Sequence, residues 1–175
     1  LLRFSKQHPQ VHFDVHEGST FALKDQLENH VIDLTTLRTP IVLNGCETKT
    51  LLKESITAMA LPDHPLFAER DTLSLTELAE QPLILSNRYR KYMLSAFEQA
   101  GLFCDIYLTC EDARTAMTMA EKGLGIALLP ASMLSHQLKA CAITDADLTT
   151  EILLAWRKGR LPSELRDFLK MWNET

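Results

Sequence analysis

Helix-like and strand-like hydrophobic patterns alternate along this chain from end to end. Residues 11–15 alternate apolar and polar side chains, which is typical of a half-buried strand, and residues 32–37 form a second extended run. Between them, Ser19 can cap a helix that carries Leu23 and Leu27 on one face. A helix-length connection between consecutive extended runs predicts a βαβ unit and hence parallel strands.

The remaining hydrophobic runs continue this alternation. Ile56, Ala58 and Ala60 alternate with their neighbours, which favours a strand over the helix that residue propensities alone indicate. Ser74 and Glu77 have the spacing of a capping box and predict the start of a short helix. The class is therefore α/β. Strands are predicted at residues 51–61, 83–85, 105–110, 125–130 and 151–156, helices at residues 1–8, 90–100, 113–120, 131–138 and 162–172, and a loop at residues 42–50.

The composition is that of an ordinary globular protein. Of its 175 residues, 46% are hydrophobic and 23% are charged, which excludes a disordered tail and a fibrous repeat. The formal net charge of -5 argues against direct contact between this segment and DNA or RNA, because nucleic-acid-binding surfaces are normally basic. No stretch reaches the roughly 20 apolar residues that a membrane helix needs. The cysteines lack CxxC spacing and are predicted to be reduced thiols, with a redox pair of Cys104 and Cys110 as the alternative.

No catalytic or metal-binding motif is visible in the sequence. His12 and His16, four positions apart on a predicted strand, would be separated by about 13 Å, so they cannot share one metal ion. Gly123 and Gly125 lie between a helix and a strand, which is the reverse of the order in a phosphate-binding loop. The sequence therefore predicts neither enzyme activity nor a metal or cofactor.

Two loops that follow predicted strands carry side chains suited to binding an anion. Arg38 and Thr39 come directly after the second predicted strand. Ser86, Asn87 and Arg88 follow a short apolar strand and lead into a helix. A hydroxyl, an amide and a guanidinium beside a helix N-terminus suit a carboxylate. The alternative is that these arginines are solvated or pair with nearby acids.

The succession of short motifs along nearly the whole chain resembles the effector-binding domain of LysR-type transcriptional regulators. Each motif is weak alone, and the resemblance depends on their order and spacing. The motifs are Phe4 with His8-Pro9-Gln10-Val11, Glu17-Gly18-Ser19-Thr20, Asp33-Leu34 with Arg38-Thr39-Pro40, Leu61-Pro62-Asp63-His64-Pro65-Leu66, Ser74-Leu75-Thr76-Glu77-Leu78 with Gln81-Pro82-Leu83-Ile84, Ala100-Gly101-Leu102, and Ala120-Glu121-Lys122-Gly123-Leu124-Gly125-Ile126-Ala127-Leu128-Leu129-Pro130.

The resemblance implies two Rossmann-like lobes joined by two crossover strands, as in type 2 periplasmic binding proteins. Lobe I would comprise residues 1–60 and 153–175, and lobe II residues 61–152. A small effector, for which an anion is one candidate, would bind in the cleft between the lobes and shift the equilibrium between two arrangements of the assembly. DNA would be contacted only through a winged helix-turn-helix domain that is not in this chain.

The implied protein is a bacterial, cytoplasmic regulator that associates with itself and not with a membrane. We expect a side-by-side antiparallel dimer of this domain and a tetramer of the full-length protein. The alternatives are a stand-alone solute-binding protein of the type 2 periplasmic class and, further, an enzyme on the same architecture.

The resemblance also assigns effector contacts by position, in loops of both lobes. The family pattern has a strand and a Ser/Thr-rich effector loop before its first helix, and we expect both to precede Leu1. The assigned contacts are Arg38 and Thr39 in lobe I, and Ser86, Asn87, Arg88, Asp112 and Arg114 in lobe II.

Overall fold

The structure is a computed structural model that describes residues 1–173. Helices and strands alternate over residues 72–130, as the hydrophobic pattern predicts, whereas elements of the same kind follow one another on either side of this range. The helices are α1 (Leu2–Gln7), α2 (Thr20–Glu28), α3 (Leu75–Ala79), α4 (Asn87–Gln99), α5 (Ala113–Glu121) and α6 (Ser163–Asn173). The strands are β1 (Leu34–Arg38), β2 (Cys46–Ala60), β3 (Thr72–Leu73), β4 (Leu83–Ser86), β5 (Ile106–Cys110), β6 (Ile126–Pro130), β7 (Lys139–Ile143) and β8 (Thr149–Arg157).

The chain folds into two compact units. The first contains Leu1–Leu51 and Ile152–Thr175, and the second contains Leu52–Glu151. Both β2 and β8 begin in one unit and end in the other, so the chain passes between the units in these two strands. The lobe boundaries that the resemblance implies stay a prediction.

The second unit is built on a mixed sheet with the strand order β3-β7-β2-β6-β4-β5. β4 lies parallel to both β5 and β6, whereas β2 is antiparallel to β6 and β7. The parallel sheet that the βαβ pattern predicts forms where β4 lies between β5 and β6, and the prediction is wrong for β2 and for β1, which pairs antiparallel with β8. Because the carboxyl ends of β4 and β5 meet at one edge of the sheet, the loops that follow them are neighbours.

Both faces of this sheet are covered by helices, which explains why β6 and the first three residues of β4 are apolar. Successive side chains of a strand point to opposite faces. Leu83 and Leu85 of β4 therefore belong to one core cluster with Met93 of α4. Ile84, between them, belongs to a second cluster with Ala120 of α5.

The first unit has a smaller core. Leu27 of α2, Leu37 of β1 and Ala155 of β8 form its buried cluster, and β1 pairs antiparallel with β8. The rings of Phe4 in α1 and Phe168 in α6 pack edge to face, with their centroids 5.2 Å apart. Among residues 1–173, no helix is both long enough and apolar enough to cross a membrane.

Local predictions fail where pairing between distant segments decides the conformation. Residues 11–15 form no strand, because none of the described residues pairs with them. Residues 46–50 extend β2 instead of forming a loop. Of the helix predicted over residues 131–138, only a 3-10 turn at Ala131–Met133 forms, and the chain then runs into β7, which pairs with β2. Tertiary pairing outweighs helix propensity at these positions.

Candidate functional site

The best-defined candidate site lies in the second unit, at the carboxyl ends of β4 and β5. These strands are parallel, and Ser86 at the end of β4 lies opposite Cys110 at the end of β5. Each strand leads into a helix, α4 directly and α5 after a two-residue turn. The N-termini of α4 and α5 therefore lie at the same edge, where their backbone amides and dipoles favour negative charge.

Ser86 is the buried polar group of this edge. It is the N-cap residue of α4, but its side chain makes no capping bond to the helix. The residue is 0% exposed, and its Oγ has no hydrogen-bond partner within residues 1–173. An unsatisfied buried polar group costs about 1–3 kcal/mol. A hydroxyl kept at that cost is suited to a ligand group that can bond it.

Asn87 and Glu111 join the two loops. The side-chain amide of Asn87, in the first turn of α4, donates a hydrogen bond to Oε1 of Glu111, which follows β5. Helix α4 begins at Asn87, three residues before the position at which the sequence predicts it to begin. Asn87 is therefore a helical residue whose orientation the first turn fixes.

Asp112 and Arg114 form the start of α5. The carboxylate of Asp112 accepts a hydrogen bond of 2.6 Å from the backbone N–H of Arg114 and caps the helix, as predicted. The Arg114 guanidinium lies 3.5 Å from the same carboxylate, with the side chain 82% exposed. Asp112 thus has a structural role, and Arg114 is a cation that solvent reaches freely.

The other sequence-predicted contacts are distributed between the units. Arg88 is a half-buried residue of the first turn of α4, and it makes interactions within the chain. Arg38 ends β1 in the first unit, opposite Ile152 of β8, and Thr39 follows it. The structure thus brings Ser86, Asn87, Arg88, Asp112 and Arg114 to one edge of the second unit, and the grouping of Arg38 and Thr39 with them stays a prediction.

A groove of about 770 Å³ in the first unit is a feature that the sequence does not reveal. Residues 11–15, which form no helix or strand, line it, and Thr35 and Thr36 of β1 line it as well. β1 is the last strand in the sheet order, so one of its edges has no neighbouring strand among residues 1–173. The alternating pattern of residues 11–15 marks the segment in the sequence but does not show that it lines a groove. The apolar lining includes Phe4, Phe13, Val15, Leu154 and Phe168.

Comparison with known protein families and curated proteins gives a consistent result. The family model described as the LysR substrate binding domain matches residues 1–175. The chain is 28% identical over 174 residues to the uncharacterized HTH-type transcriptional regulator YybE of Bacillus subtilis (strain 168), which covers 97% of this chain and 59% of that regulator. It is 24% identical over 167 residues to the HTH-type transcriptional regulator CatR of Pseudomonas putida, covering 91% of this chain and 57% of CatR. The chain thus spans less than two thirds of these relatives.

Solved structures of the same fold include domains with bound ligands. The effector binding domain of QuiR in complex with shikimate matches with a TM-score of 0.80 at 22% identity, over 95% of this chain and 85% of that one. The effector binding domain of BenM with its effector benzoate matches with a TM-score of 0.76 at 21% identity, over 99% of this chain and 86% of that one. The fold is therefore that of these effector-binding domains, the type 2 periplasmic-binding-protein-like class.

Proposed function

The chain belongs to the LysR substrate binding domain family, and we propose that it is the ligand-sensing regulatory domain of a bacterial LysR-type transcription factor. Its ligand is a small anionic metabolite, and binding shifts the equilibrium between two arrangements of the full-length assembly. The chain itself senses the ligand, and DNA is bound by a helix-turn-helix domain outside these residues. The curated relatives are named as regulators of the HTH type, which supports this division of roles.

The single observation that carries this proposal is the unpartnered hydroxyl of Ser86. It is buried at the carboxyl end of β4 and at the N-terminus of α4, where a carboxylate can accept its hydrogen bond. The structural neighbours QuiR and BenM, whose ligands are shikimate and benzoate, support a small carboxylate as the ligand class. We assign Ser86, Asn87 and Arg88 to ligand contact in the second unit.

The remaining residues of the proposed site supply charge. Arg38 and Thr39 contribute a guanidinium and a hydroxyl from the first unit, and Arg114 contributes an exposed cation that raises the local concentration of anions. Asp112 acts by capping α5 and so keeps Arg114 in place. The site that we propose uses no metal and no cofactor, and we propose no catalytic step.

Self-association is part of the proposal. Phe103 is 98% exposed and Tyr107 is 60% exposed, and both lie at or beside β5, the edge strand of the second unit's sheet. Large apolar side chains exposed beside an unpaired sheet edge favour contact with another protein surface. We propose that a second copy of the domain covers them in a dimer and that the regulator acts in the cytoplasm.

The groove in the first unit runs along the edge of β1 that has no neighbouring strand among residues 1–173. Residues 11–15 and β1 both line the groove with backbone groups that no strand among the described residues pairs. Residues 12–15 are exposed, and an unpaired strand edge such as that of β1 is a template for pairing with a further extended segment. We therefore propose that an extended segment pairs here, and that the groove is not the primary effector site.

A thermal-shift screen of small carboxylates, with benzoate and shikimate among them, tests the proposed function. A ligand at a hundred times its Kd stabilises a protein by about 2.7 kcal/mol, or roughly 5–10 °C for a domain of this size. We expect Ser86→Ala and Arg38→Ala to lose at least half of that shift. The matched controls Ser55→Ala and Arg160→Ala, at exposed positions, keep it. A carboxylate that stabilises Ser86→Ala and Arg38→Ala as much as the wild type would contradict the site assignment.

A further inference from the structure

Tyr92 joins helix α4 to the segment from which β8 leaves the second unit. Its hydroxyl donates a hydrogen bond of 3.3 Å to the carbonyl oxygen of Asp147. The oxygen of the Tyr92 hydroxyl in turn accepts a hydrogen bond of 3.2 Å from the backbone N–H of Thr149, the first residue of β8. The Tyr92 hydroxyl is therefore hydrogen-bonded to the residues on both sides of Leu148, Asp147 and Thr149.

Leu148 in turn contacts the other strand that passes between the units. Its carbonyl oxygen accepts a hydrogen bond of 2.7 Å from the backbone N–H of Ile56 in β2. The side chains of Leu148 and Ile56 are both buried in the core cluster that α4 covers. A movement of residues 147–149 is therefore passed to β2 and β8 together.

The other end of this chain of contacts is the first turn of α4. Tyr92 lies five residues after Asn87 on the same helix, and Tyr89 and Met93 anchor the helix in the core. A helix of this length moves as a rigid body more readily than it bends, because its backbone hydrogen bonds run along its axis. The hydroxyl of Tyr92 is thus a polar connection between the helix that carries the candidate ligand loop and the strands that leave the unit.

We infer that Tyr92 is a positioning residue that transmits displacement of the α4 N-terminus to β2 and β8. This inference rests on the proposed function, since it assigns a use to the ligand loop at Ser86 and Asn87. It is separate from ligand identity, because the transmission is a property of the chain alone.

Amide hydrogen exchange by NMR, on the protein without any ligand, measures the coupling in a double-mutant design. The perturbation at one end is Asn87→Ala, which removes the bond to Glu111. The perturbation at the connection is Tyr92→Phe, which removes only the hydroxyl. The readouts are the amides of Thr149 and Ile56, and the amide of Ile126, which bonds Pro82 at 3.0 Å, is the internal reference for global opening.

We expect Tyr92→Phe to speed exchange at Thr149 and Ile56 at least tenfold relative to Ile126. The matched control Tyr107→Phe, at a 60% exposed tyrosine of the same unit, should change it less than twofold. Asn87→Ala should speed exchange at Thr149 and Ile56 at least threefold in the wild-type background and less than 1.5-fold in the Tyr92→Phe background. Changes of this size are expected because amide exchange follows the free energy of local opening, which a single lost hydrogen bond can lower.

An effect of Asn87→Ala that is equal in both backgrounds, or absent from both amides in the wild type, overturns the inference. A purely structural role for Tyr92 would change the exchange rates but leave the Asn87→Ala effect intact. Since no ligand is added, the result of the exchange experiment does not depend on whether the thermal-shift screen finds a ligand. Failure of the proposed function and failure of this inference are therefore distinguishable.

Discussion

Asn87 and Glu111, 24 positions apart in the sequence, meet through a hydrogen bond between the side-chain amide of one and the carboxylate of the other. The contact depends on the parallel pairing of β4 with β5, which sets Ser86 opposite Cys110 and so brings the following loops together. It ties the first turn of α4 to the turn before α5. The bond thus fixes the geometry of the edge at which we place ligand binding.

This bond predicts energetic coupling between the two residues. Asn87→Ala and Glu111→Ala should each lower the free energy of unfolding by about 1 kcal/mol, since an exposed hydrogen bond contributes modestly. In a double-mutant cycle by urea denaturation, the double variant should be less destabilised than the sum of the singles, by roughly 0.5–1 kcal/mol. Strict additivity would mean that the bond does not form in solution.

Adding a single methyl group at Gly125 should destabilise the folded protein strongly. A Cβ at this position would overlap the carbonyl oxygen of Pro82, which also accepts the hydrogen bond from the N–H of Ile126. Gly125→Ala should therefore lower the free energy of unfolding by about 1–3 kcal/mol, the usual cost of overpacking. Gly18→Ala is the control, because its Cβ would lie at an ordinary 3.5 Å from Ala22 Cβ and should change stability by less than about 0.5 kcal/mol. Equal effects of the two substitutions would refute the close approach.

Glu77 predicts a specific pH dependence of stability. The Arg70 guanidinium, bonded to its carboxylate at 2.6 Å, together with the backbone N–H of Ser74, lowers the pKa of Glu77 from 4.5 to about 2. Because the pKa is lower in the folded state, the stabilisation is present above pH 4.5 and is lost as the pH falls through about 2. Urea denaturation of the wild type and Glu77→Gln should show a stability difference that shrinks between these pH values. A difference that stays constant or grows on acidification would contradict the ion pair, and Arg70→Met should remove most of the slope.

The thiols predict an order of reactivity. Burial raises the pKa of all four thiols, so solvent exposure rather than the pKa sets the order in which they react. Cys141 is 0% exposed, whereas Cys46 and Cys104 are half-buried. Alkylation by iodoacetamide at pH near 7.5, followed by peptide mass spectrometry, should label Cys46 and Cys104 first and Cys141 only on unfolding. Rapid native labelling of Cys141 would contradict its burial.

The same experiment after peroxide treatment tests the alternative of a redox pair. Cys104 and Cys110 are both free thiols in the structure. We expect no disulfide between them, because neither thiol has the cationic surroundings that favour a thiolate. Recovery of a peptide that links Cys104 to Cys110 would make a redox-sensing form of the domain the better account.

Local signals in the sequence predict the elements that are stabilised locally. The capping box of Ser74 and Glu77 and the Asp112 cap of α5 form as expected. The fully apolar run that predicts a buried strand becomes β6. These signals depend on residues only a few positions apart, so the local sequence is sufficient to predict the helix or strand that forms.

Features that depend on distant pairing are not readable in the same way. The unpartnered state of Ser86 depends on the whole sheet that buries it. β3 and β7 are missed because β3 is held by pairing with β7, and β7 is held by pairing with both β3 and β2. Residues 11–15 carry a strand pattern but have no partner among the described residues. The sequence thus predicts the ligand loops as candidates, and only the fold shows which of their side chains share an edge.

A backbone amide NMR titration tests the central claim most directly. The titrant is the carboxylate that gives the largest thermal shift, added to the 175-residue chain. We expect the largest chemical-shift changes at Ser86, Asn87 and Arg88 and at the turn before α5, and their loss in Ser86→Ala. Saturable changes confined to residues 11–15 and β1, around the groove of the first unit, would contradict the account.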